Sequence, residues 1–323
     1  MINGARFAFH DLAPGEESFR DAVLNGLGRA RKAIPCKFFY DARGSALFEA
    51  ICRLPWYRIT RTERRLLALH AQAIVSRTGR VSDVVELGPG CGDKLVTVLS
   101  AHARVDLTAH LVDVAPAALD AATRALAVHP ELRVEQYQGT YEAGLAAFAR
   151  RVRSSAPAMV LCLGSNIGNF DPPDADAFLQ GIRRALAPGD WLLVGADLVK
   201  PEAELLLAYD DPLGVTASFN RNLLVRANRE LAADFALEQF ARRAVWNADA
   251  SRVEMHLVSL TRQRVRVPAA GVDITFADGE TIWTESSYKY DPAAIVAMLD
   301  RAGFSTGEQW IADGFALTLA EAR

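Results

Sequence analysis

The sequence predicts an α/β fold, a largely parallel sheet covered on both faces by helices and interrupted by an inserted α+β segment. Three observations predict it. Between Val81 and Ala196, short apolar segments alternate with helical ones at the spacing of a parallel sheet. Those segments lack a polar face, as strands buried on both sides do. After Asp197 the alternation lapses, and it returns only near the C-terminus.

Taken in order, residues 18–80 read mostly as helices broken by Pro35, Gly44 and Pro55. Phe48, Ile51, Cys52 and Leu54 form an apolar stripe at helical spacing, and Thr62–Val75 is a second helix rich in Leu and Ala. Val81–Leu87 is a strand that closes on Gly88-Pro-Gly-Cys-Gly92, and Asp93–His102 is helical. Leu107–Val112 is the second strand and ends at Asp113; Pro116–Ala127 opens with proline, which suits a first helical turn. Strands at Val134–Tyr137, Met159–Leu163 and Trp191–Ala196 follow, separated by helices at Glu142–Arg153 and Ala175–Leu186, the latter stopped by Pro188-Gly189. Pro201–Phe240 is mainly helical. Arg252–Val267 alternates as one strand, and Val272–Phe276 and Thr281–Tyr290 lie around an Asp278-Gly279 turn. Ala293–Ala302 is a helix, and two last strands, near Gln309–Ile311 and Phe315–Leu319, flank Asp313-Gly314.

Composition narrows the function. The chain has 323 residues, half of them hydrophobic, so it buries a core of ordinary size and is not a disordered or fibrous chain. Lys and Arg number 36 against 39 Asp and Glu, so the basic excess of a nucleic-acid binder is missing. No apolar run approaches the ~18–20 residues of a membrane span. Met1–Glu17 carries acidic residues and no compact apolar core, unlike a secretory signal. Cys36, Cys52, Cys91 and Cys162 form no C-x-x-C pair, so we expect free thiols in a reducing cytoplasm and no metal. The expectation is a cytoplasmic enzyme, a monomer acting on a small molecule, with no nucleic-acid or membrane partner.

The glycine cluster carries the chemistry. Glycines where a strand turns into a helix let the backbone approach a ligand closely. The spacing is G-x-G-x-G, not the G-x-G-x-x-G of a pyrophosphate fingerprint. Asp113, at the tip of the next strand, is placed to accept from a ribose diol. A nucleoside without a pyrophosphate fits better than NAD, and S-adenosylmethionine is such a ligand. Gly139-Thr-Tyr141 ends the third strand, where the adenine would lie. Leu163-Gly-Ser-Asn-Ile-Gly-Asn-Phe170 suits a pocket wall, although Asn166 and Asn169 are also common turn residues. In the insertion, Glu285, Ser287 and Lys289 would share one face of an extended segment. No nucleophile elbow is present, so hydrolase chemistry has no support.

Together these motifs resemble the bacterial histidine-specific Nα-methyltransferases of ergothioneine biosynthesis. The resemblance rests on Lys37-Phe-Phe-Tyr-Asp-Ala-Arg-Gly-Ser-Ala-Leu-Phe48, Leu54-Pro-Trp-Tyr57, Thr60-Arg-Thr-Glu63 and Glu86-Leu-Gly88. It extends to Leu163–Asn169, Ala208-Tyr-Asp-Asp211, Phe219-Asn-Arg-Asn222 and Thr284-Glu-Ser-Ser-Tyr-Lys289. It implies a Rossmann-like class I methyltransferase domain over 62–198 and 290–323, with a substrate-binding domain from 1–61 and 199–289. It further implies that Gly88, Lys94, Asp113 and Gly164 hold S-adenosylmethionine, with Thr140 and Tyr141 facing the adenine. Tyr57, Asn169 and Tyr209 would grip the α-carboxylate and α-amine of histidine. Tyr40 and Glu285 would bind the imidazole, with Ser287 assisting and Met255 packed beside the ring. Tyr40, Asn169, Tyr209 and Glu285 would be the catalytic set. Two departures stand out: Thr140 replaces a usual acidic residue, and Arg58 a usual aromatic one.

The reaction implied is three successive methyl transfers to the α-amine of L-histidine, giving the betaine hercynine with no metal. The alternatives are the same chemistry on another aromatic amino acid or amine, or a homologue that binds S-adenosylmethionine without turnover.

Overall fold

A computed structural model of the chain describes residues 6–12, 17–102, 107–151, 154 and 156–323. Met1–Glu17 falls partly outside them. Two compact units emerge, one from Met1–Gly15, Ile59–Val199 and Lys289–Arg323, the other from Glu16–Arg58 and Lys200–Tyr288. No described helix is long and apolar enough to cross a membrane.

The first unit is built on an eight-stranded sheet. Its order is Phe7–Asp11, Arg133–Gln138, Thr108–Asp113, Asp83–Leu87, Ala158–Cys162, Trp191–Asp197, Phe315–Ala322 and Phe304–Ala312. Phe315–Ala322 runs antiparallel to both its neighbours, and the other described pairings are parallel. The central strands Asp83–Leu87 and Ala158–Cys162 are buried along their whole length, which is why their sequences carry no polar alternation. Val85, Val160, Leu192 and Ala316 line one side of the core, packed with Phe178, Ile182 and Leu299 from the helices.

The second unit contains a four-stranded sheet in the order Lys32–Ala33, Thr281–Tyr288, Arg252–Ser259, Phe240–Asn247. A separate hairpin pairs Gln263–Val267 with Val272–Phe276. The helices Phe19–Leu27, Ala42–Arg53 and Val215–Leu231 belong to this unit.

Several expectations need correction. Phe7–Asp11, assigned with 1–61 to the substrate part, is the parallel edge strand of the large sheet; an edge position leaves it largely exposed, without an apolar run to announce it. Gly44 does not break a helix but lies inside Ala42–Arg53, where a Cβ would collide with the Phe39 carbonyl. Its N–H donates to the cap residue Asp41 at 2.7 Å. Arg252–Val267 is two strands in different sheets, not one. The helical region ends before Phe240, which begins a strand, and the strand expected at Gln309–Ile311 already starts at Phe304. Lys289 lies past the end of its strand, and a register shift between Trp283 and Glu285 breaks the simple alternation. Its ammonium sits 3.1 Å from Asp197, and both side chains are fully buried.

Candidate active site

In the first unit the site is built around the turn after Asp83–Leu87. Gly88, Gly90 and Gly92 all take positive φ, of 73°, 55° and 79°, which disfavours any other residue. At Gly88 a Cβ would stand 2.5 Å from the Tyr141 hydroxyl and 2.9 Å from Asn166 Nδ2, so its absence keeps a gap open among these side chains. The Gly88 N–H donates to Val112 O at 2.9 Å, which ties the turn to the end of the next strand. There Asp113 Oδ1 accepts from the Ala115 N–H at 2.8 Å. Burial pushes the Asp113 carboxyl up to about 6.

The second wall is the turn Leu163–Asn166. Gly164 has φ of 78° and Ser165 of 59°, a left-handed pair of which the second is strained. Ser165 Oγ accepts from the Asp197 N–H at 3.0 Å and holds that conformation. The Gly164 N–H donates to Glu63 Oε1 at 2.7 Å, and Lys94 Nζ lies 3.1 Å from Glu63 Oε2. Gly195 has no side chain where the Glu63 carboxylate needs room. Glu86 is completely buried, and neither of its oxygens has a hydrogen-bond partner among the described residues. Burial pushes its carboxyl up to about 8, against the pull of the Lys94 charge.

Gly88, Lys94, Tyr141 and Gly164 are thus brought into one cluster, with Asp113 one strand away. Thr140 caps the helix Tyr141–Ala149 through Oγ1, which accepts from the Ala143 N–H at 3.3 Å. Sequence reasoning missed Glu63, whose partner Lys94 is 31 residues away, and passed over Asn166, which donates to the Tyr141 hydroxyl at 3.2 Å. An open glycine turn and an acid at the next strand tip fit a nucleoside.

In the second unit aromatic side chains frame the other set. Tyr40 ends the short turn Cys36–Phe39 and packs edge-on against Phe48 and Phe219, with centroids at 5.5 and 5.7 Å. Tyr57 packs against Phe48 and Tyr209 at 6.3 and 6.2 Å. The hydroxyl of Tyr209 shares a 2.7 Å hydrogen bond with Ser287 Oγ. Glu285 stands opposite Met255 across the strand pair, just after the register shift. Thr284 Oγ1 fixes that region, 3.0 Å from Asn220 Oδ1 and 2.9 Å from the Met255 carbonyl. Burial raises the Tyr57 phenol well above its ordinary range and pushes the Cys36 thiol up to about 12, with the Glu285 charge adding to both. Arg58, at the first turn of Arg58–Thr78, lies 3.6 Å from Glu204. Asn169 closes the turn Asn166–Asn169 in the first unit.

The strand order, with its last strand antiparallel between two others, and the glycine turn followed by Asp113 define a class I S-adenosylmethionine-dependent methyltransferase fold. The chain belongs to the family of histidine-specific, S-adenosylmethionine-dependent methyltransferases, whose profile matches residues 19–322. It is 41% identical over 309 residues to a histidine N-alpha-methyltransferase of Mycolicibacterium smegmatis, spanning 94% of this chain and 95% of the relative. A histidine N-alpha-methyltransferase of Mycobacterium tuberculosis is 39% identical, with 95% of each chain covered. An L-tryptophan methyltransferase of Psilocybe serbica is 26% identical over 90% of this chain and 89% of its own.

The protonation of Asp113 gives one expected result. A ribose diol at Asp113 would donate to the ionised carboxylate, so cofactor binding there would favour the deprotonated form and lower its pKa. S-adenosylmethionine affinity should therefore be flat above about pH 6 and fall as pH drops through it. Calorimetry at pH 7.5 and pH 5 should show about a tenfold loss at the lower pH, and the loss should vanish in Asp113→Asn, which binds weakly throughout. A wild-type affinity unchanged at pH 5 would take Asp113 out of the site.

Proposed function

We propose that this protein transfers methyl groups from S-adenosylmethionine to the α-amino group of L-histidine, three times in succession, to give hercynine on the way to ergothioneine. One observation carries the reading: a carboxylate, Glu285, set opposite Met255 among Tyr40, Tyr57 and Tyr209. A carboxylate beside an apolar thioether suits a flat ring with an N–H to donate, which is what imidazole offers.

When bound, the cofactor supplies a methyl group already activated on a sulfonium. Gly88, Gly164, Lys94 and Asp113 would hold it, and Tyr57, Tyr209 and Asn169 would hold the α-amine and α-carboxylate. The chain's residues therefore align a lone pair and exclude water, worth many powers of ten when the geometry is held. The first two transfers each leave an ammonium that must lose a proton before the next; the third leaves a quaternary nitrogen with none to lose. Tyr57 stays a neutral phenol at pH 7, so it orients the amine and does not act as an ionised base. Holding the ring at its far end lets the amine turn as methyl groups accumulate. The same reading has the enzyme working as a cytoplasmic monomer without a metal.

The test is incubation of the protein with S-adenosylmethionine and a panel of amino acids, read by mass spectrometry. Mass gains of one, two and three methyl groups on histidine are expected; gains on another amino acid alone would overturn the substrate. Tyr209→Phe removes the bond to Ser287 and should lower kcat/KM for histidine by roughly 5- to 10-fold, the effect of one neutral hydrogen bond, with little change in Tm. Full activity at subsaturating histidine would detach Tyr209 from the substrate.

A further inference from the structure

The strand Phe240–Asn247 carries a guanidinium into the second unit that methyl transfer leaves unused. The Arg242 side chain is only 2% exposed. Its Nη1 donates to Asp210 Oδ1, and its Nη2 lies 3.8 Å from the sulfur of Met255. Its Nε is buried with no hydrogen-bond partner among the described residues. A guanidinium buried against a thioether is unfavourable unless a nearby charge answers it. Asp210 answers it weakly, because its own side chain is 65% exposed and water screens the pair. The remaining negative charge is close by. Met255 is the cross-strand partner of Glu285, so Arg242 touches the residue that faces Glu285.

We propose that Arg242 is a charge-compensating residue that makes the ring site select neutral imidazole over imidazolium. The proposal rests on the histidine reading above. Glu285 can accept an N–H from either form of the ring, and a lone carboxylate would favour the cation strongly. With the guanidinium in place, the pair Glu285 and Arg242 is close to neutral, and a cationic ring gains little over a neutral one while giving up its hydration. Among the other groups around the pair, Cys36 and Tyr57 are held neutral by burial and Tyr40 and Tyr209 are phenols. The further negative charges are Asp210, which is largely exposed, and Asp211, whose carboxylate is turned to the backbone N–H groups of Leu213, Val215 and Thr216. The fields of Asp210, Asp211 and Glu285 all act on Arg242, which burial alone would make easier to deprotonate.

Steady-state kinetics with histidine between pH 5.5 and 8 test this in wild type, Arg242→Gln and Arg242→Lys. In wild type, KM should rise on acidification through the imidazole pKa of about 6.5, approaching tenfold per pH unit below it. In Arg242→Gln that acid-side rise should disappear or reverse, because the uncompensated carboxylate now favours the cation. Arg242→Lys should keep the wild-type direction, and kcat should move less than KM. A Gln profile parallel to wild type would overturn the proposal. A second measurement needs no variant: calorimetry of imidazole-propionate, which lacks the α-amine, binding to wild type at pH 6 in buffers of different ionisation enthalpy. Release of roughly three quarters of a proton is expected, from the fraction of imidazolium free in solution. No release, or uptake, would also overturn it. If neither histidine nor imidazole-propionate binds to wild type at all, the histidine reading falls and this proposal falls with it.

Discussion

Replacing Glu285 by alanine should lower kcat/KM for histidine by about 30- to 1000-fold, the range for losing one charge-assisted hydrogen bond to a ligand. It should also narrow the preference for histidine over tryptophan, whose indole cannot use the carboxylate in the same way. A surface role for Glu285 would need an exposed pair with Lys289, worth ~0–1 kcal/mol and silent on substrate choice. Lys289 is instead fully buried at 3.1 Å from Asp197. The decisive quantity is the histidine-to-tryptophan ratio of kcat/KM, measured in wild type and in Glu285→Ala. An unchanged ratio would remove Glu285 from ring recognition and leave a methyltransferase of undetermined amine. The 26% identical tryptophan methyltransferase shows that this chain's relatives include one named for an indole substrate, which makes tryptophan the informative comparison.

The largest effect on stability is expected at Glu63. Its carboxylate bridges Lys94 Nζ and the Gly164 N–H with no exposure at all. Removing one member of a buried pair leaves the other charge unanswered, at about 3–5 kcal/mol. For a protein of this size that corresponds to a fall of roughly 10 °C in Tm for Glu63→Ala. A fall below about 2 °C would mean that Lys94 has found another partner, and Glu86, whose charge also acts on Lys94, is an acid able to serve. The sign of the pH dependence separates the two acids. The Glu86 carboxyl stands at about 8 in the fold, far above its ordinary value near 4.5. The folded state therefore holds a proton that the unfolded chain releases, so the stability from this group is full below about pH 4.5 and is lost as pH rises through 8. Thermal melts of Glu86→Gln should lose that slope between pH 5 and 8, and a slope identical to wild type would place the titration elsewhere.

The parallel core was readable because burial on both faces leaves an unambiguous mark: Val84-Val85-Glu86-Leu87 and Met159-Val160-Leu161-Cys162 have no reason to alternate. Phe240–Asn247 left no such mark. Arg242 and Arg243 interrupt it, and most of its residues are only half-buried, so neither period dominates. The break between Ser259 and Gln263 contains no glycine or proline, so two strands in different sheets read as one. At the site, the glycine turn and Asp113 were legible because their signals are local. The Lys94–Glu63 pair, the Asn166–Tyr141 bond and the Arg242–Met255 approach join residues far apart in sequence, and periodicity cannot register them. Asn166 and Asn169 occupy one short turn, and nothing in the sequence tells which one reaches the glycines.

The second unit is made from two chain segments, and that has a consequence for synthesis. Arg58 leaves the ribosome 230 residues before Tyr288. At about 5–20 residues per second, the early segment waits roughly 10–50 s for the later one. During that time Phe39 lacks the Phe219 ring that packs on it at 4.5 Å, and Lys32–Ala33 has no Thr281–Tyr288 strand to join. The nascent chain thus displays Phe19, Phe38 and Phe39 while the whole parallel sheet is still being made. Such a segment is a natural client for a holding chaperone, and yield in a heterologous host should respond to chaperone supply and slower translation more than to changes in the sheet. It also bars a simple division of labour by truncation, since a cut between residues 58 and 200 would separate two halves of one core.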